Sequence, residues 1–191
     1  MATVLIPLAE GFEEVEAVSL IDVLRRGGVE VRTAHLNPSE GNNLVLGANG
    51  ITLQANTSIE NIVGDEFDMI VLPGGWGGTH ALADNQIVQR LLKEFKEKNK
   101  TIGAICAAPY ALDKAGVLGN DFTCYPSVEE QIASKGYRDD KQVVIDGNIM
   151  TSRGPATALC FALAILKHLV GEESFKRVKE GMLISFCDIN S

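Results

Sequence analysis

Cys106 combines a nucleophilic side chain with a position at which the chain could activate it. It follows the apolar segment TIGAI, which is typical of a buried strand, and precedes the small residues Ala107 and Ala108. If a helix begins there, its first N–H groups are unpaired and partly positive, so they favour a thiolate and stabilise an adjacent oxyanion. The position therefore predicts a lowered thiol pKa. The local sequence fits equally well a free cysteine that is one more small buried hydrophobic residue.

Gly75 is a candidate for the opposite wall of the same site. It ends the segment VLPGG, in which an apolar run over residues 67–72 is followed by Pro73, Gly74 and Gly75. Because glycine has no Cβ, the backbone amides at such a turn can approach a ligand closely. We therefore expect Gly75 to border a small site that contains Cys106.

Glu16 is the candidate acid or base. The helical spacing of residues 13–26 places it on one stripe with Phe12, Leu20 and Val23. A carboxylate on an apolar stripe is costly unless it is neutral or paired. The alternative is that Glu16 is a solvated glutamate in the first helical turn, where the helix dipole favours a negative charge. That description suits Glu13 and Glu14 well.

Strands and helices alternate along the chain, which predicts a mostly parallel sheet covered by helices on both faces. In such a sheet ligands bind beyond the carboxyl ends of the strands. Gly74, Gly75, Cys106 and residues 152–154 all follow predicted strands, so the fold should bring them to one edge. The predicted strands are residues 2–8, 29–35, 67–72 and 101–105, the hairpins 44–53 and 142–151, and the helices 13–26, 85–98, 107–115, 128–134, 156–170 and 173–183.

Length and composition limit the class of protein. The 191 residues suggest one domain over residues 1–191, with 46% hydrophobic and 22% charged residues. A net charge of −8 and the absence of a basic patch argue against nucleic-acid or anionic-membrane binding. The first residues lack a basic leader, and no apolar run is long enough for a membrane span, so a cytoplasmic location is expected. The four cysteines show no metal-like spacing and are expected to be reduced thiols.

Four short motifs in order resemble the ThiJ/PfpI superfamily over nearly the whole chain. They are AEGFEEVEA, VLPGG, AICAAP and TSRGPAT, and the resemblance is greatest to the clade of the parkinsonism-associated protein deglycase and bacterial YajL-type proteins. It implies a single-domain, flavodoxin-like fold of the class I glutamine-amidotransferase-like kind. It also implies Cys106 as nucleophile, protonated Glu16 hydrogen-bonded to its sulfur, the amides of Gly75 and Ala107 as an oxyanion site, and a homodimer with the first helix near the contact.

One position departs from the family pattern. Many members place a histidine near the thiol, where this chain has Tyr125 in DFTCYPS, and none of its three histidines falls in that motif. The Cys-His dyad of an efficient cysteine protease is therefore not expected. The family further implies Gly154 and Pro155 as substrate-binding residues, and Arg26 resembles an arginine at the pocket mouth or subunit contact. Cys124 could be a second thiol of the site, and Cys160 is expected to be core.

The resemblance implies a cysteine-dependent, cofactor-free enzyme acting on methylglyoxal-type α-oxoaldehydes or their early adducts on proteins or nucleotides. That activity is a glutathione-independent glyoxalase or a deglycase, with Cys106 as nucleophile and Glu16 as acid and base. No metal is expected. The alternative is a redox sensor or redox-regulated chaperone in which Cys106 becomes a sulfinate that protonated Glu16 stabilises. A peptidase or amidotransferase fits less well, because the histidine and a synthetase partner domain are both missing.

Overall fold

The computed structural model describes residues 1–36 and 41–187. Its strands are β1 (Thr3–Leu8), β2 (Glu30–His35), β3 (Leu44–Leu46), β4 (Thr52–Gln54), β5 (Thr57–Ser58), β6 (Met69–Leu72), β7 (Thr101–Ile105), β8 (Val143–Asp146) and β9 (Ile149–Ser152). Seven of them form one sheet in the order β5-β2-β1-β6-β7-β9-β8, which is parallel except for β8. The remaining two, β3 and β4, pair as the expected antiparallel hairpin.

Besides four short 3-10 helices, the described residues form six α-helices: α1 (Glu14–Arg26), α2 (Trp76–Asp84), α3 (Gln86–Glu97), α4 (Pro109–Lys114), α5 (Ala158–Val170) and α6 (Glu172–Gly181). The start of α1 is fixed by Glu13, whose carboxylate accepts a hydrogen bond from the Glu16 N–H. No helix in residues 1–36 and 41–187 is long and apolar enough to cross a membrane.

The parallel strands separate two apolar cores. Side chains alternate along a strand, so Val4 and Ile6 of β1 enter one core while Leu5 enters the other. The first core lies under α1, α5 and α6, and the second under α2, α3 and α4. Both faces of the sheet are thus covered, which confirms the predicted α/β class with a mostly parallel sheet sandwiched by helices.

Helix α2 was not predicted from the sequence. It opens with Trp76, Gly77 and Gly78, and glycine is a poor helix former. The segment is helical because its backbone packs closely on the loop after β1. A Cβ at Gly78 would lie only 3.0 Å from the backbone of Phe12. This contact is tertiary, so no local pattern signals it.

The prediction of four reduced cysteines is wrong for two of them. Cys160 in α5 and Cys187 after α6 form a disulfide with a Cα–Cα distance of 5.1 Å, whereas Cys106 and Cys124 are free and buried. Cys160 does lie in the core, as expected. The two partners are 27 residues apart in sequence, and only the return of the chain after α6 brings them together.

Candidate active site

Cys106 lies at the carboxyl end of β7, in a turn that precedes α4. Its φ of 64° is in the left-handed region, which non-glycine residues adopt rarely and at a cost. Hydrogen bonds hold the peptide groups on both sides: the Cys106 N–H donates to the Ser152 carbonyl (2.9 Å), and the Tyr125 N–H donates to the Cys106 carbonyl (2.8 Å). The helix predicted from residue 107 consequently begins only at Pro109. This backbone leaves the side chain 9% exposed.

Glu16 is fully buried in the first turn of α1. Its Oε2 atom accepts a hydrogen bond of 2.7 Å from the Gly74 N–H. Its Oε1 atom is buried and has no hydrogen-bond partner that meets ordinary geometry among the described residues. An ionised carboxylate with an unpaired oxygen is unfavourable in such surroundings, and a proton on Oε1 relieves it.

Gly74 is the residue that brings the thiol and the carboxyl together. A Cβ at this position would lie 2.7 Å from the Cys106 Cβ, 2.7 Å from the Glu16 Oε2 and 2.9 Å from the Ile105 carbonyl oxygen. The absence of a side chain therefore allows β7 and α1 to approach each other here. The rule for strand ends predicted both Gly74 and Gly75 at the crevice, but only Gly75 was given a role in the site, because a Gly-Gly sequence does not show which glycine makes which contact.

Gly75 makes the next close contact, with the loop that follows β1. Its φ is 86°, and a Cβ there would lie 2.3 Å from the Gly11 carbonyl oxygen, so both the conformation and the space require glycine. The backbone N–H groups of Gly75 and Ala107 act on the Cys106 sulfur to lower the pKa of the thiol. These are the two amides that the family resemblance implies as an oxyanion site.

The pKa values of the pair follow from burial. Burial raises the pKa of Glu16 to about 7, against the opposing hydrogen bonds from Gly74 and Cys106. Burial also raises the pKa of the Cys106 thiol far above its ordinary value, and the negative charge of Glu16 raises it further. The expected lowering of the thiol pKa is thus wrong while Glu16 is ionised, because burial and the carboxylate outweigh the two amides.

The thiol and the carboxyl titrate as one coupled unit. Near neutral pH the pair loses one proton, and the raised pKa of the thiol favours the remaining proton on sulfur. When this proton lies on Glu16, the sulfur is a thiolate that faces two N–H donors and a carboxylic acid. Chemically, the arrangement offers a nucleophile with an acid beside it.

Tyr125 and Gly154 contact each other beside the turn that holds Cys106. Tyr125 is 47% exposed, and its ring lies against Gly154, where a Cβ would be 3.3 Å from Cδ2. Pro155 begins a 3-10 turn directly after Gly154. The Thr157 hydroxyl of this turn hydrogen-bonds to the Ser152 hydroxyl (2.7 Å), which fixes the turn to the end of β9.

Arg26 does not lie with these residues. It is at the opposite end of α1, about 15 Å along the helix axis from Glu16, and forms an exposed ion pair with Asp22. Cys124 is fully buried; its sulfur lies 3.9 Å from the Glu129 carboxylate, and burial raises its pKa to about 12.

The three histidines are engaged elsewhere. His80 packs against the rings of Trp76 and Tyr110, with centroids 5.5 and 5.6 Å away. His35 and His168 hydrogen-bond to Asn43 and Thr101, at 2.9 and 3.1 Å. Within residues 1–36 and 41–187, no group of three or more His, Cys, Asp or Glu residues is arranged to hold a metal ion.

A parallel α/β sheet with a strained cysteine at a strand end and a buried glutamate beside it defines a class of flavodoxin-like thiol proteins. The DJ-1/PfpI family profile matches residues 2–168. The chain is 42% identical to protein dj-1beta of Drosophila melanogaster over 184 residues, which is 95% of this chain and 97% of that protein. It is 35% identical to glutathione-independent glyoxalase DJR-1.2 of Caenorhabditis elegans, over 90% of each chain.

Solved structures agree with the sequence comparison. The crystal structure of Drosophila melanogaster DJ-1beta superposes with a TM-score of 0.92 and 42% identity over 97% of this chain and 99% of that chain. The protein therefore belongs to the DJ-1/PfpI family, and the resemblance to ThiJ/PfpI proteins is confirmed.

Proposed function

We propose that the protein is a cofactor-free, glutathione-independent enzyme that converts methylglyoxal-type α-oxoaldehydes, free or as early adducts on proteins or nucleotides, to hydroxy acids. The observation that carries this proposal is the buried Cys106–Glu16 pair packed around Gly74, with a carboxyl pKa of about 7. The relative named a glutathione-independent glyoxalase supports the same kind of chemistry at the level of the family.

The first step is addition. The Cys106 thiolate attacks the aldehyde carbon of methylglyoxal and forms a C–S bond, while the carbonyl π electrons move to oxygen. The N–H groups of Gly75 and Ala107, which already face the sulfur, stabilise the oxyanion. Glu16 then gives its proton to that oxygen, which leaves a neutral hemithioacetal and a carboxylate.

The second step uses the carboxylate that the first step produced. Glu16 removes the proton from the former aldehyde carbon and returns it to the adjacent carbon, while the hydroxyl proton passes to the oxygen of that adjacent carbon. The hemithioacetal thereby becomes a lactoyl thioester. Water cleaves the thioester, releasing lactate and one proton to solvent and regenerating the thiolate and protonated Glu16. A carboxyl pKa of about 7 suits both halves of this cycle at neutral pH. The net reaction adds one water to methylglyoxal.

A second candidate function is peroxide sensing or redox-regulated chaperone activity at the same thiol. The observation that favours it is the buried, unpartnered Oε1 atom of Glu16. A Cys106 thiolate that reacts with two molecules of peroxide becomes a sulfinate and releases two waters. A protonated Oε1 would then donate a hydrogen bond to a sulfinate oxygen.

The decisive assay is lactate formation from methylglyoxal under reducing conditions. We expect turnover by the wild type, none by Cys106→Ser, and wild-type turnover by Cys124→Ser, because Cys124 is fully buried and burial raises the pKa of its thiol, so it is not a competing nucleophile. Lactate formation by Cys106→Ser would refute the enzymatic proposal. A wild type without turnover that protects client proteins only after oxidation would instead establish the redox function.

A further inference from the structure

The two cysteines that are unconnected with the proposed chemistry are joined to each other. Cys160 lies in the first turns of α5, and Cys187 lies at the end of the segment that follows α6. Both side chains are almost fully buried, at 3% and 2% exposure. The disulfide therefore ties the last described residue to the first core.

The tied segment, residues 182–187, is attached mainly through its first half. The N–H groups of Met182, Leu183 and Ile184 donate to carbonyls of α6 (2.9, 3.0 and 3.0 Å), and beyond them the Lys179 ammonium donates to the Cys187 carbonyl (2.8 Å). Ile184 is buried, whereas Leu183 and Phe186 are exposed. A segment with so few buried contacts opens at low free-energy cost, so the disulfide is its principal constraint and becomes accessible whenever the segment opens.

We propose that Cys160 and Cys187 form a second redox site, distinct from Cys106, which controls whether residues 182–187 remain attached to the core. Oxidation by peroxide removes two electrons and two protons from the thiol pair, forms one S–S bond and releases two waters. A dithiol reductant returns these electrons and protons and is itself oxidised to a disulfide. In the reduced protein the segment is held by non-covalent contacts alone.

Closing this crosslink should raise thermal stability measurably. It encloses all of α6 in a loop with a sequence separation of 27, which limits the freedom of the unfolded chain. For a domain of this size the expected increase in Tm is about 10 °C. Cys106 and Cys124 are free thiols and make no comparable contribution.

The experiment compares the full chain after treatment with peroxide or with dithiothreitol. After brief peroxide treatment, tryptic peptides containing Cys160 and Cys187 should be linked, in the wild type and in Cys106→Ser. Reduction should lower the Tm of the wild type by about 10 °C and accelerate amide exchange at residues 183 and 184. Cys187→Ala should lose the dependence of Tm on reductant, while the matched control Cys124→Ala, another buried cysteine, should retain it.

Two outcomes would overturn the inference. One is that Cys160 and Cys187 are both alkylated in the peroxide-treated, unfolded protein, which would mean that no disulfide formed. The other is a wild-type Tm that does not respond to reductant. Methylglyoxal turnover by Cys187→Ala should equal that of the wild type, so a failure here is distinguishable from a failure of the proposed enzymatic function.

Discussion

At the scale of single residues, burial of the Cys106 thiol and the Glu16 carboxyl makes the ionised form of each group unfavourable. The two groups are buried together, and each affects the ionisation of the other. Burial raises the pKa of both groups, and the amides of Gly74, Gly75 and Ala107 offset part of that cost for the pair when it carries one negative charge. The sequence pointed to Cys106 and Glu16 through the order of the motifs around them. It could not give the titration of the thiol, because the residue that opposes ionisation is 90 positions away in the chain.

The buried carboxyl should make the protein less stable as pH rises. Glu16 has a pKa of about 7 when folded against 4.5 for the free group, so the native state binds more protons than the unfolded state between these values. Stability is then lost as pH rises through that window and is constant above it. The shift corresponds to about 3 kcal/mol. In urea unfolding, Glu16→Gln should therefore gain about this much relative to wild type between pH 4.5 and pH 8.

Changes at titrating groups that do not interact with Glu16 cancel in that comparison, because both proteins contain them. An equal free-energy difference between Glu16→Gln and wild type at pH 4.5 and at pH 8 would show that Glu16 is not protonated in the native state near neutrality. That result would contradict the raised pKa of Glu16 on which the proposed mechanism depends.

At the scale of elements, the site exists because three segments meet without intervening side chains. The end of β7 supplies Cys106, the start of α1 supplies Glu16, and the turn after β6 supplies Gly74 between them. Apolar runs and periodicity predicted most of these elements, and the rule for parallel sheets predicted that they meet. Helix α2 and the contacts of Gly74 escaped prediction, because both depend on close packing between distant backbones.

A methyl group at Gly74 should disrupt this meeting point. In Gly74→Ala the new Cβ would lie 2.7 Å from both the Cys106 Cβ and the Glu16 Oε2, so the two catalytic candidates must separate. Overpacking of this kind costs about 1–3 kcal/mol, and we expect turnover of methylglyoxal to fall by at least about tenfold, since small displacements of reacting groups are costly.

Gly181→Ala is the matched control, because a Cβ there meets nothing within 4 Å. Its unfolding midpoint and turnover should match the wild type. If Gly74→Ala behaves like this control, the close approach around Gly74 does not position the site.

At the scale of the whole molecule, the surface next to the site suggests a second subunit. Val15 and Val18 of α1 and Leu46 and Ile51 beside the β3-β4 turn are large, apolar and exposed. Glu14 joins the two elements, since its carboxylate accepts hydrogen bonds of 2.6 Å from the Asn49 N–H and 2.9 Å from the Asn49 side chain. Exposed apolar patches of this kind mark interaction sites. We therefore expect the homodimer that the family resemblance implies, with α1 at the contact.

Sedimentation equilibrium tests this expectation. The wild type should sediment at twice the 20.5 kDa chain mass, and Val18→Glu should sediment as a monomer, because a charge would be buried in the contact. Val63→Glu places the same charge on another exposed valine and should remain dimeric. A monomeric wild type, or a dimeric Val18→Glu, would contradict the proposed contact.

The central claim is that Glu16 moves the proton during the isomerisation. Its most direct test is lactate formation by Glu16→Gln. Glu16→Gln keeps the shape and a hydrogen-bond donor but cannot accept and return a proton, so lactate formation should fall by about a hundred- to ten-thousand-fold. Alkylation of Cys106 by iodoacetamide, measured on the same sample, should stay within several-fold of wild type, because the thiol and its two amides remain. Turnover within a few-fold of wild type would contradict the account, since Glu16 could not then be the group that moves the proton.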